Sequence, residues 1–246
     1  MPLTVIDSIP FLPDADKMAE RLKLGGMQSH EQEVKELVGL GARIGAPRAC
    51  YAMYDVEKTG DASVVIAGQC FESRILRVNL QYSDKAVLFV ATCGTQLEQW
   101  AESYRDMLLR WVAEELCEEA LRTGVAALDQ AVNPLLDGEY NVSMNPGSLE
   151  DWPLVQQKPL FEALGDVTGT IGVRLTESFL MRPRKSVSGI RFSSPKPFAN
   201  CKLCPRQDCQ SRRMPFHIKS FEQEYAGARH GVLYDQFCYC APDSYL

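Results

Sequence analysis

The sequence predicts an α+β protein, and three features of the chain support that class. Residues 1–46 carry the apolar spacing of helices, and residues 49–92 contain strand-like apolar runs. The strongest helical pattern in the chain begins near Thr95, while the region from about 141 onward is mainly strand and loop. Helices and strands are therefore segregated along the chain, which is typical of the α+β class.

The composition is that of a globular protein without disulfide staples. The 246 residues are 46% hydrophobic and 24% charged, which is enough to bury a sizeable core. No apolar stretch is long enough to span a membrane, and residues 1–7 lack the features of a signal peptide. We therefore expect a cytoplasmic location without membrane association, where nine cysteines indicate thiol, metal or redox chemistry.

Positive charge is concentrated in one region of an acidic chain. The net charge is −6, yet ten Lys and Arg residues lie between Arg182 and Lys219, where Asp208 is the single acid. Such a block can serve an anionic ligand, an acidic partner surface or a cluster of thiolates. We do not expect a nucleic-acid partner, because the block lacks interleaved aromatic residues and the whole chain is acidic.

Two helices and a hairpin are predicted in the N-terminal region. The first helix covers Asp14 to Leu24 and ends at Gly25-Gly26, and the second begins at the capping box Ser29–Gln32. Turn residues 58–61 join strands over 49–56 and 62–67. The run 86–92 predicts a strand buried on both faces. Three scattered cysteines are interpreted as small core residues: Cys50, Cys70 and Cys93.

A second capping box, Thr95–Glu98, opens one long amphipathic helix. We expect it to run to about Thr123, with a further segment to Leu136. Its apolar face, interpreted as core, consists of Leu97, Trp100, Tyr104, Leu108, Trp111, Val112, Leu116 and Ala120. The opposite face is interpreted as solvated and carries Glu114, Glu115, Glu118 and Glu119.

A Pro-Gly turn at Asn145-Pro146-Gly147 opens the next region. Ser148 is predicted to cap a short helix, and Trp152-Pro153 is a stiff, bulky pair suited to lining a pocket. A short helix over 158–165 with a glycine stop and a strand over Ile171–Leu175 follow.

Residues 177–192 combine an apolar run, a basic turn broken by Pro183, and the sequence Ser186-Val187-Ser188-Gly189. The bare pattern favours a hairpin. Turn residues can present backbone N–H groups to a ligand, and Ser186, Ser188 and Gly189 allow a bulky group to approach the backbone closely.

The cysteine cluster near the C-terminus admits three interpretations. Cys201, Cys204 and Cys209 have the spacing C-x2-C-x4-C, and Cys238 and Cys240 lie further on. The three cysteines, with Cys238 or Cys240 as the fourth ligand, suit a [4Fe–4S] cluster. Structural zinc is the alternative, and reversible disulfide chemistry is the third interpretation, which does not need three clustered cysteines. His217 is a weaker candidate ligand.

Residues 175–192 resemble the activation (reactivation) domain of cobalamin-dependent methionine synthase. The family has a Leu-Thr-Glu-Ser run, a proline step and a Ser-Val-Ser-Gly strand in this order, and Asn145-Pro146-Gly147 and an Ile-Gly-Val segment precede them here as in the family. The resemblance covers about 140–195, and it is closest to stand-alone, activation-domain-like proteins of anaerobic corrinoid metabolism.

The resemblance implies a bent antiparallel sheet with packed helices. The expected organisation is an activation-domain-like domain over residues 1–195, followed by the cysteine-rich tail over residues 196–246. Within that domain, residues 1–140 are expected to form helices and sheet, and residues 141–195 carry the motifs. In the family this domain docks on a corrinoid-bearing domain and binds S-adenosylmethionine, while Co(II) is reduced to Co(I) and captured by methylation.

One departure from the family concerns S-adenosylmethionine. The family's Arg-Pro-x-Pro-Gly loop holds the ligand carboxylate with its arginine, and the matching position here is Ser143. A hydroxyl does not replace a bidentate guanidinium, so binding of S-adenosylmethionine is doubtful. The family's ligand-contacting helix glutamate matches Glu118.

The sequence thus predicts a corrinoid-handling redox protein that binds cobalamin or a corrinoid protein and supplies electrons from an iron–sulfur cluster. Its expected contact positions are Asn145, Pro146, Gly147, Trp152, Ser186, Val187, Ser188, Gly189 and Glu118. Two rivals remain: an escort module for cobalamin with structural zinc, and an S-adenosylmethionine-dependent reactivase.

Overall fold

The fold was analysed in a computed structural model. It describes residues 2–22, 28–204, 208–209, 212–216 and 223–228, with the backbone alone for residues 28–31. Several predicted features lie outside the described residues: Leu24, Gly25, Gly26, His217, Cys238 and Cys240.

Nine strands and seven α-helices form in these described residues. The strands are β1 (Thr4–Ile6), β2 (Arg48–Thr59), β3 (Ser63–Ile66), β4 (Gln69–Glu72), β5 (Lys85–Thr92), β6 (Tyr140–Met144), β7 (Arg174–Leu175), β8 (Met181–Arg182) and β9 (Ser186–Ser194). The helices are α1 (Ala15–Arg21), α2 (Gln28–Ile44), α3 (Arg74–Asn79), α4 (Thr95–Ser103), α5 (Met107–Val132), α6 (Gln157–Leu164) and α7 (Val167–Ile171).

A bent antiparallel sheet forms the centre of the molecule, in the order β4-β3-β2-β5-β9-β6, with β1 also paired to β2. Strand β2 is long enough to serve two regions of the sheet: residues 48–55 pair with β5, and residues 56–59 pair with β3. The predicted hairpin of β2 and β3 and the doubly buried strand β5 are confirmed. Strands β7 and β8 form a separate two-stranded ribbon.

The sheet is covered on both faces. On one side, which we call the helix face, Ala49, Val87, Phe89 and Ala91 pack with residues of α2, α4 and α5. On the other side, the loop face, Cys50, Leu88, Val90 and Ile190 pack with α3, α6, α7 and the loop of residues 145–152. Burial of apolar area on both faces is the main favourable contribution to folding.

The predicted long helix is two helices. Helix α4 ends at Ser103, and α5 begins after Asp106, whose carboxylate accepts a hydrogen bond from the N–H of Leu109 at 2.9 Å. That side-chain cap competes with continuation of the helix, which is why the periodic apolar pattern was misleading here. Helix α5 then continues past Thr123 to Val132 without a break. Trp111, predicted as core, is exposed.

Both predicted capping boxes are wrong in detail. Helix α2 begins at Gln28, so Ser29 lies inside it, and the N-cap of α4 is Gly94 rather than Thr95. Ser148 caps no helix, because the chain continues as turns up to the short 3-10 turn at Leu154–Gln156. The predicted helix with a glycine stop is α6, which ends at Gly165.

Residues 177–192 do not form a hairpin. Strand β8 pairs with β7, while β9 lies between β5 and β6, so the turn around Pro183 connects two different sheets. The strand predicted over Ile171–Leu175 is reduced to β7, because α7 extends to Ile171 and Gly172 adopts a left-handed conformation.

Two of the three scattered cysteines are core residues, as predicted. Cys50 and Cys93 are buried, and burial raises the pKa of the Cys50 thiol to about 12, so that it stays protonated. Cys70 is exposed at the edge of the sheet, against the prediction. Across the residues that the structure describes, no helix is both long and apolar enough to cross a membrane.

Candidate functional site

The Pro-Gly loop and strand β9 lie side by side, although about 40 residues separate them in the chain. The amide of Asn145 donates a hydrogen bond of 2.7 Å to the backbone carbonyl of Ser188. The N–H of Gly147 donates to the carbonyl of Trp152 at 2.7 Å, and Gly147 has a φ of +83°. These contacts close the loop of residues 145–152 over the end of β6.

Gly189 is required by packing within the protein. A Cβ atom at this position would lie 2.5 Å from the carbonyl oxygen of Met144 and 2.6 Å from the amide nitrogen of Asn145. The bulky group that approaches the backbone of Gly189 is therefore the loop of residues 145–152, which fills the space that we expected a ligand to use.

The other predicted contact positions on β9 are buried. Ser186 donates to the carbonyl of Pro183 at 2.7 Å and contacts the hydroxyl of Thr92 at 2.8 Å. Val187 packs on the helix face, and the hydroxyl of Ser188 is buried without a hydrogen-bond partner among the described residues. In this conformation a corrin ring could not lie against these side chains.

Pro146 and Trp152 are also interior residues. Trp152 is 1% exposed and meets Phe71 edge to face, with 6.5 Å between ring centroids. The predicted pocket wall is thus a component of the loop-face core, and Pro146 is buried beside it.

Asp151 holds this loop against helix α3, a role that the sequence did not reveal. Its carboxylate accepts from the hydroxyl of Ser73 at 2.6 Å and from the N–H of Ile75 at 2.9 Å. Ser73 itself caps α3 by accepting from the N–H of Leu76. The Ser73 cap is a local signal, but nothing in the chain links it with an acid 78 residues away.

The basic turn around Pro183 is held by acidic residues of α4 and α5, an arrangement that we call the turn clasp. Glu98 accepts a hydrogen bond from the backbone N–H of Arg184, and the Arg184 guanidinium lies 3.4 Å from Glu102 and 3.5 Å from Glu114. Lys185 lies 3.3 Å from Glu118. Burial raises the pKa of Glu98, partly offset by its bond from Arg184.

The turn clasp changes the interpretation of two predictions. The acidic residue Glu118 faces Lys185 and Arg122 rather than open solvent. The basic turn, which we considered for an anionic ligand, has its charges paired within the chain, by Glu102 and Glu118 among others. A ligand carboxylate or phosphate would have to displace one of these partners.

Ser143, at the position of the family arginine, lies directly opposite Arg191 on β9. The Arg191 guanidinium forms a buried ion pair with Asp129 of α5, and its carbon lies 5.0 Å from the centroid of the Phe89 ring. The strand next to Ser143 therefore carries a guanidinium, that of Arg191, but Asp129 already neutralises its charge.

The first segment of the cysteine cluster is anchored on the loop face. A 3-10 turn covers Asn200–Lys202, and Leu203 is buried in the loop-face core. Cys201 is buried, whereas Cys204 and Cys209 are partly exposed. The N–H of Arg213 donates to the sulfur of Cys201 at 3.5 Å.

The predicted ligand set is not assembled in the described residues. Within them, no three His, Cys, Asp or Glu side chains come together in a group that could hold a metal ion. Cys238 and Cys240 lie outside the described residues, so the metal site at Cys201, Cys204 and Cys209 stays a prediction.

Residues 223–228 pack against the main fold near the cysteine turn. Tyr225 is buried in the loop-face core, meets Phe198 edge to face, and hydrogen bonds to Asn79 at 3.3 Å. Glu224 lies 3.1 Å from the ammonium group of Lys202. Residues 223–228 thus lie beside the turn that carries Cys201.

The geometry defines an α+β domain in which a Pro-Gly loop and a Ser-Val-Ser-Gly strand meet at the centre of a bent sheet. Residues 139–205 match the family described as the vitamin B12 dependent methionine synthase, activation domain. A solved structure, the MetH reactivation domain bound to AdoHcy, matches with a TM-score of 0.58 and 16% identity over 81% of each chain. No curated protein sequence matches the chain.

The predicted resemblance and fold class are therefore confirmed: residues 139–205 are similar to the activation domain, and the chain has an α+β fold like that of the reactivation domain. The matched segment contains the Pro-Gly loop, the Ser-Val-Ser-Gly strand, Cys201 and Cys204. The AdoHcy in the similar structure is at odds with our expectation, drawn from Ser143, that binding of S-adenosylmethionine by this chain is doubtful.

Proposed function

We propose that this protein handles a corrinoid in a redox reaction. It binds cobalamin or a corrinoid protein and supplies electrons for reductive reactivation of Co(II). The observation that carries the proposal is the match of residues 139–205 to the activation domain of a vitamin B12 dependent enzyme. That segment contains the two motifs that meet through Asn145 and Ser188, and it continues to Cys204.

The electron source in this proposal is a [4Fe–4S] cluster bound by Cys201, Cys204, Cys209 and either Cys238 or Cys240. Such a cluster transfers single electrons at low potential. Three features support the site: cysteine spacing, an N–H donor to the sulfur of Cys201, and the docking of residues 223–228 beside the cysteine turn. Hydrogen bonds to ligand sulfurs stabilise such sites.

In this proposal the corrinoid contact is shaped, rather than lined, by Asn145, Pro146, Gly147, Trp152 and the strand Ser186–Gly189. Apart from Gly147, these residues are buried, so they act by fixing two surface features that a macrocycle or its carrier protein meets. The features are the loop of residues 145–152 and the turn around Pro183.

The test is an anaerobic preparation of the full chain, analysed for iron, sulfide and zinc and by its visible spectrum. We expect a brown protein that, once chemically reduced, converts cob(II)alamin to a Co(I) species trapped by methyl iodide. Cys204→Ser should lose the cluster, while Cys70→Ser, which replaces an exposed cysteine outside the set, should keep it. A colourless protein with stoichiometric zinc contradicts the proposal and favours the escort module.

A second candidate is S-adenosylmethionine-dependent reactivation, and the AdoHcy bound to the similar reactivation domain favours it. Calorimetric titration of the full chain with AdoHcy tests it directly. If the ligand meets Glu118, Glu118→Gln should weaken binding, whereas Glu119→Gln on the same helix, which removes an ion pair with Arg21, should not. Absence of binding at millimolar AdoHcy would exclude this candidate.

A further inference from the structure

Arg212 occupies an unusual position within the cysteine segment. Its guanidinium donates to the backbone carbonyls of Cys201 at 3.0 Å, Cys204 at 3.2 Å and Met214 at 3.2 Å. The planar guanidinium group of Arg212 thus links the backbone of both cysteines of the C-x2-C turn to Met214, which follows Cys209 in the chain. Arginine suits this task because its donors are held in a fixed geometry, which an ammonium group cannot reproduce.

The turn that carries Cys201 and Cys204 is also held by backbone hydrogen bonds and by packing on the loop-face core. The N–H groups of Leu203 and Cys204 donate to the carbonyls of Asn200 and Cys201, at 3.0 Å and 3.4 Å, and the side chain of Leu203 is buried. Cys201 and Cys204 are therefore held between the loop-face core and the Arg212 guanidinium. These contacts restrain the backbone of the turn that carries both cysteines.

The surroundings also favour anionic sulfur. The N–H of Arg213 donates to the sulfur of Cys201, and the Arg212 guanidinium brings a positive charge within bonding distance of both cysteine backbones. Positive charge and N–H donors stabilise a thiolate, which is the form that binds metals.

We propose that Arg212 is a positioning residue for a metal–thiolate site built on Cys201 and Cys204. It fixes the backbone of the turn that carries the two sulfurs and places a positive charge beside them. The inference rests on the metal site of the proposed function, but it does not depend on the metal being an iron–sulfur cluster or on any reaction with a corrinoid.

The experiment is an anaerobic titration of the reduced full chain with Co²⁺, followed by the thiolate-to-cobalt charge-transfer absorption. We expect Arg212→Gln to weaken the apparent Co²⁺ affinity about 10- to 100-fold, the usual effect of removing an outer partner of a metal ligand. Arg212→Lys keeps the charge but loses the planar guanidinium, so it should recover only a fraction of the affinity. The matched control is Arg174→Gln, which changes an exposed arginine of β7 and should bind like the parent protein.

Equal Co²⁺ affinity and an identical absorption band for Arg212→Gln and the parent chain would overturn the inference, and so would a parent chain that binds no Co²⁺. If Arg212→Gln does not fold, Arg212→Lys decides the question, since it must still bind more weakly than Arg174→Gln. The two proposals can also fail separately. If Arg212→Gln binds Co²⁺ more weakly than the parent chain, and the parent chain forms no cluster with iron and sulfide, the inference is supported and the redox function is contradicted.

Discussion

The two faces of the central sheet are built in different ways. The helix face is covered by α2, α4 and α5, whose apolar side chains pack in the regular rows of long helices. The loop face is covered by three short helices and by irregular segments that individual polar side chains hold in place, such as Asp151, Asn145 and Arg212. Regular packing thus supports the sheet, and specific hydrogen bonds shape the surface above it.

The difference bears on the site of the proposed function. Helix packing tolerates exchange of one apolar residue for another, whereas a loop fixed by single hydrogen bonds depends on each of them. The Pro-Gly loop and the cysteine turn both depend on such bonds, while Glu118, on α5, belongs to the turn clasp at the end of the sheet. Four predictions test this contrast, from the largest expected effect to the smallest.

The first compares Trp152→Ala on the loop face with Leu116→Ala on the helix face. Both side chains are fully buried, so we expect losses of unfolding free energy of about 3–5 and 2–5 kcal/mol, measured by urea denaturation. The loop-face change should also accelerate amide hydrogen exchange over residues 145–152, because Trp152 anchors that loop. If amide hydrogen exchange over residues 145–152 is equally fast in both variants, the proposed difference between the two faces is wrong.

The second prediction concerns Tyr225, which attaches residues 223–228 to the loop face. Tyr225→Ala should weaken docking of this segment by about 1.5–3 kcal/mol, since its ring is buried in the loop-face core and packs against Phe198. Limited tryptic digestion should then cut within residues 202–229 much faster than in the parent chain. Tyr82→Ala, which removes an exposed tyrosine, serves as the control. Unchanged digestion would show that the segment is held by other residues.

The third prediction uses two glycines with opposite surroundings. Gly189→Ala should destabilise the protein by about 1–3 kcal/mol, because its Cβ would overlap Met144 and Asn145. Gly39→Ala, in an exposed stretch of α2 with nothing within 4 Å, should stabilise it by about 0.5–1 kcal/mol. Thermal denaturation should show a lower melting temperature than the parent chain for Gly189→Ala and a higher one for Gly39→Ala. A stabilised Gly189→Ala variant would mean that Asn145 does not pack on this strand.

The smallest effect is a pH dependence that arises from Glu98. Burial raises its pKa in the folded state above the ordinary value of 4.5, so the folded protein holds this proton more tightly than the unfolded chain. Its contribution to stability is fully present below pH 4.5 and is lost as the pH rises through the raised pKa.

Glu98→Gln removes that titration while keeping an acceptor for the N–H of Arg184. The difference in melting temperature between the variant and the parent chain should therefore grow in favour of the variant from about pH 4 to about pH 7. Glu102→Gln, a more exposed member of the turn clasp, is the control. A difference that stays constant with pH would contradict the assignment.

The sequence predicted individual strands and helices better than their ends and connections. Local apolar periodicity was sufficient for β5, for the hairpin of β2 and β3, and for the existence of the helices. It failed where one side chain changes the path of the backbone, as Asp106 does between α4 and α5. A period of apolar residues does not reveal such a cap, because the cap is a bond between a polar side chain and the backbone three residues further on.

The candidate site was only partly predicted. The Pro-Gly loop and the Ser-Val-Ser-Gly strand do lie together, but Gly189 accommodates Asn145 instead of leaving room for a ligand. The roles of Asp151 and Arg212 could not be found in the sequence. Asp151 acts on a residue 78 positions away, and Arg212 contacts backbone carbonyls, which leave no pattern in side-chain spacing.

By itself, the sequence determined the α+β class, the resemblance to the activation domain and the cysteine spacing, because composition, periodicity and short motifs are local properties of a chain. Only the tertiary structure decided that the turn around Pro183 joins two sheets, that its charges are paired in the turn clasp, and that Arg212 holds the cysteine turn. The first two features depend on contacts between residues far apart in the chain, which are set by how the two faces of the sheet are packed. The third depends on hydrogen bonds to backbone carbonyls, which side-chain spacing does not reveal.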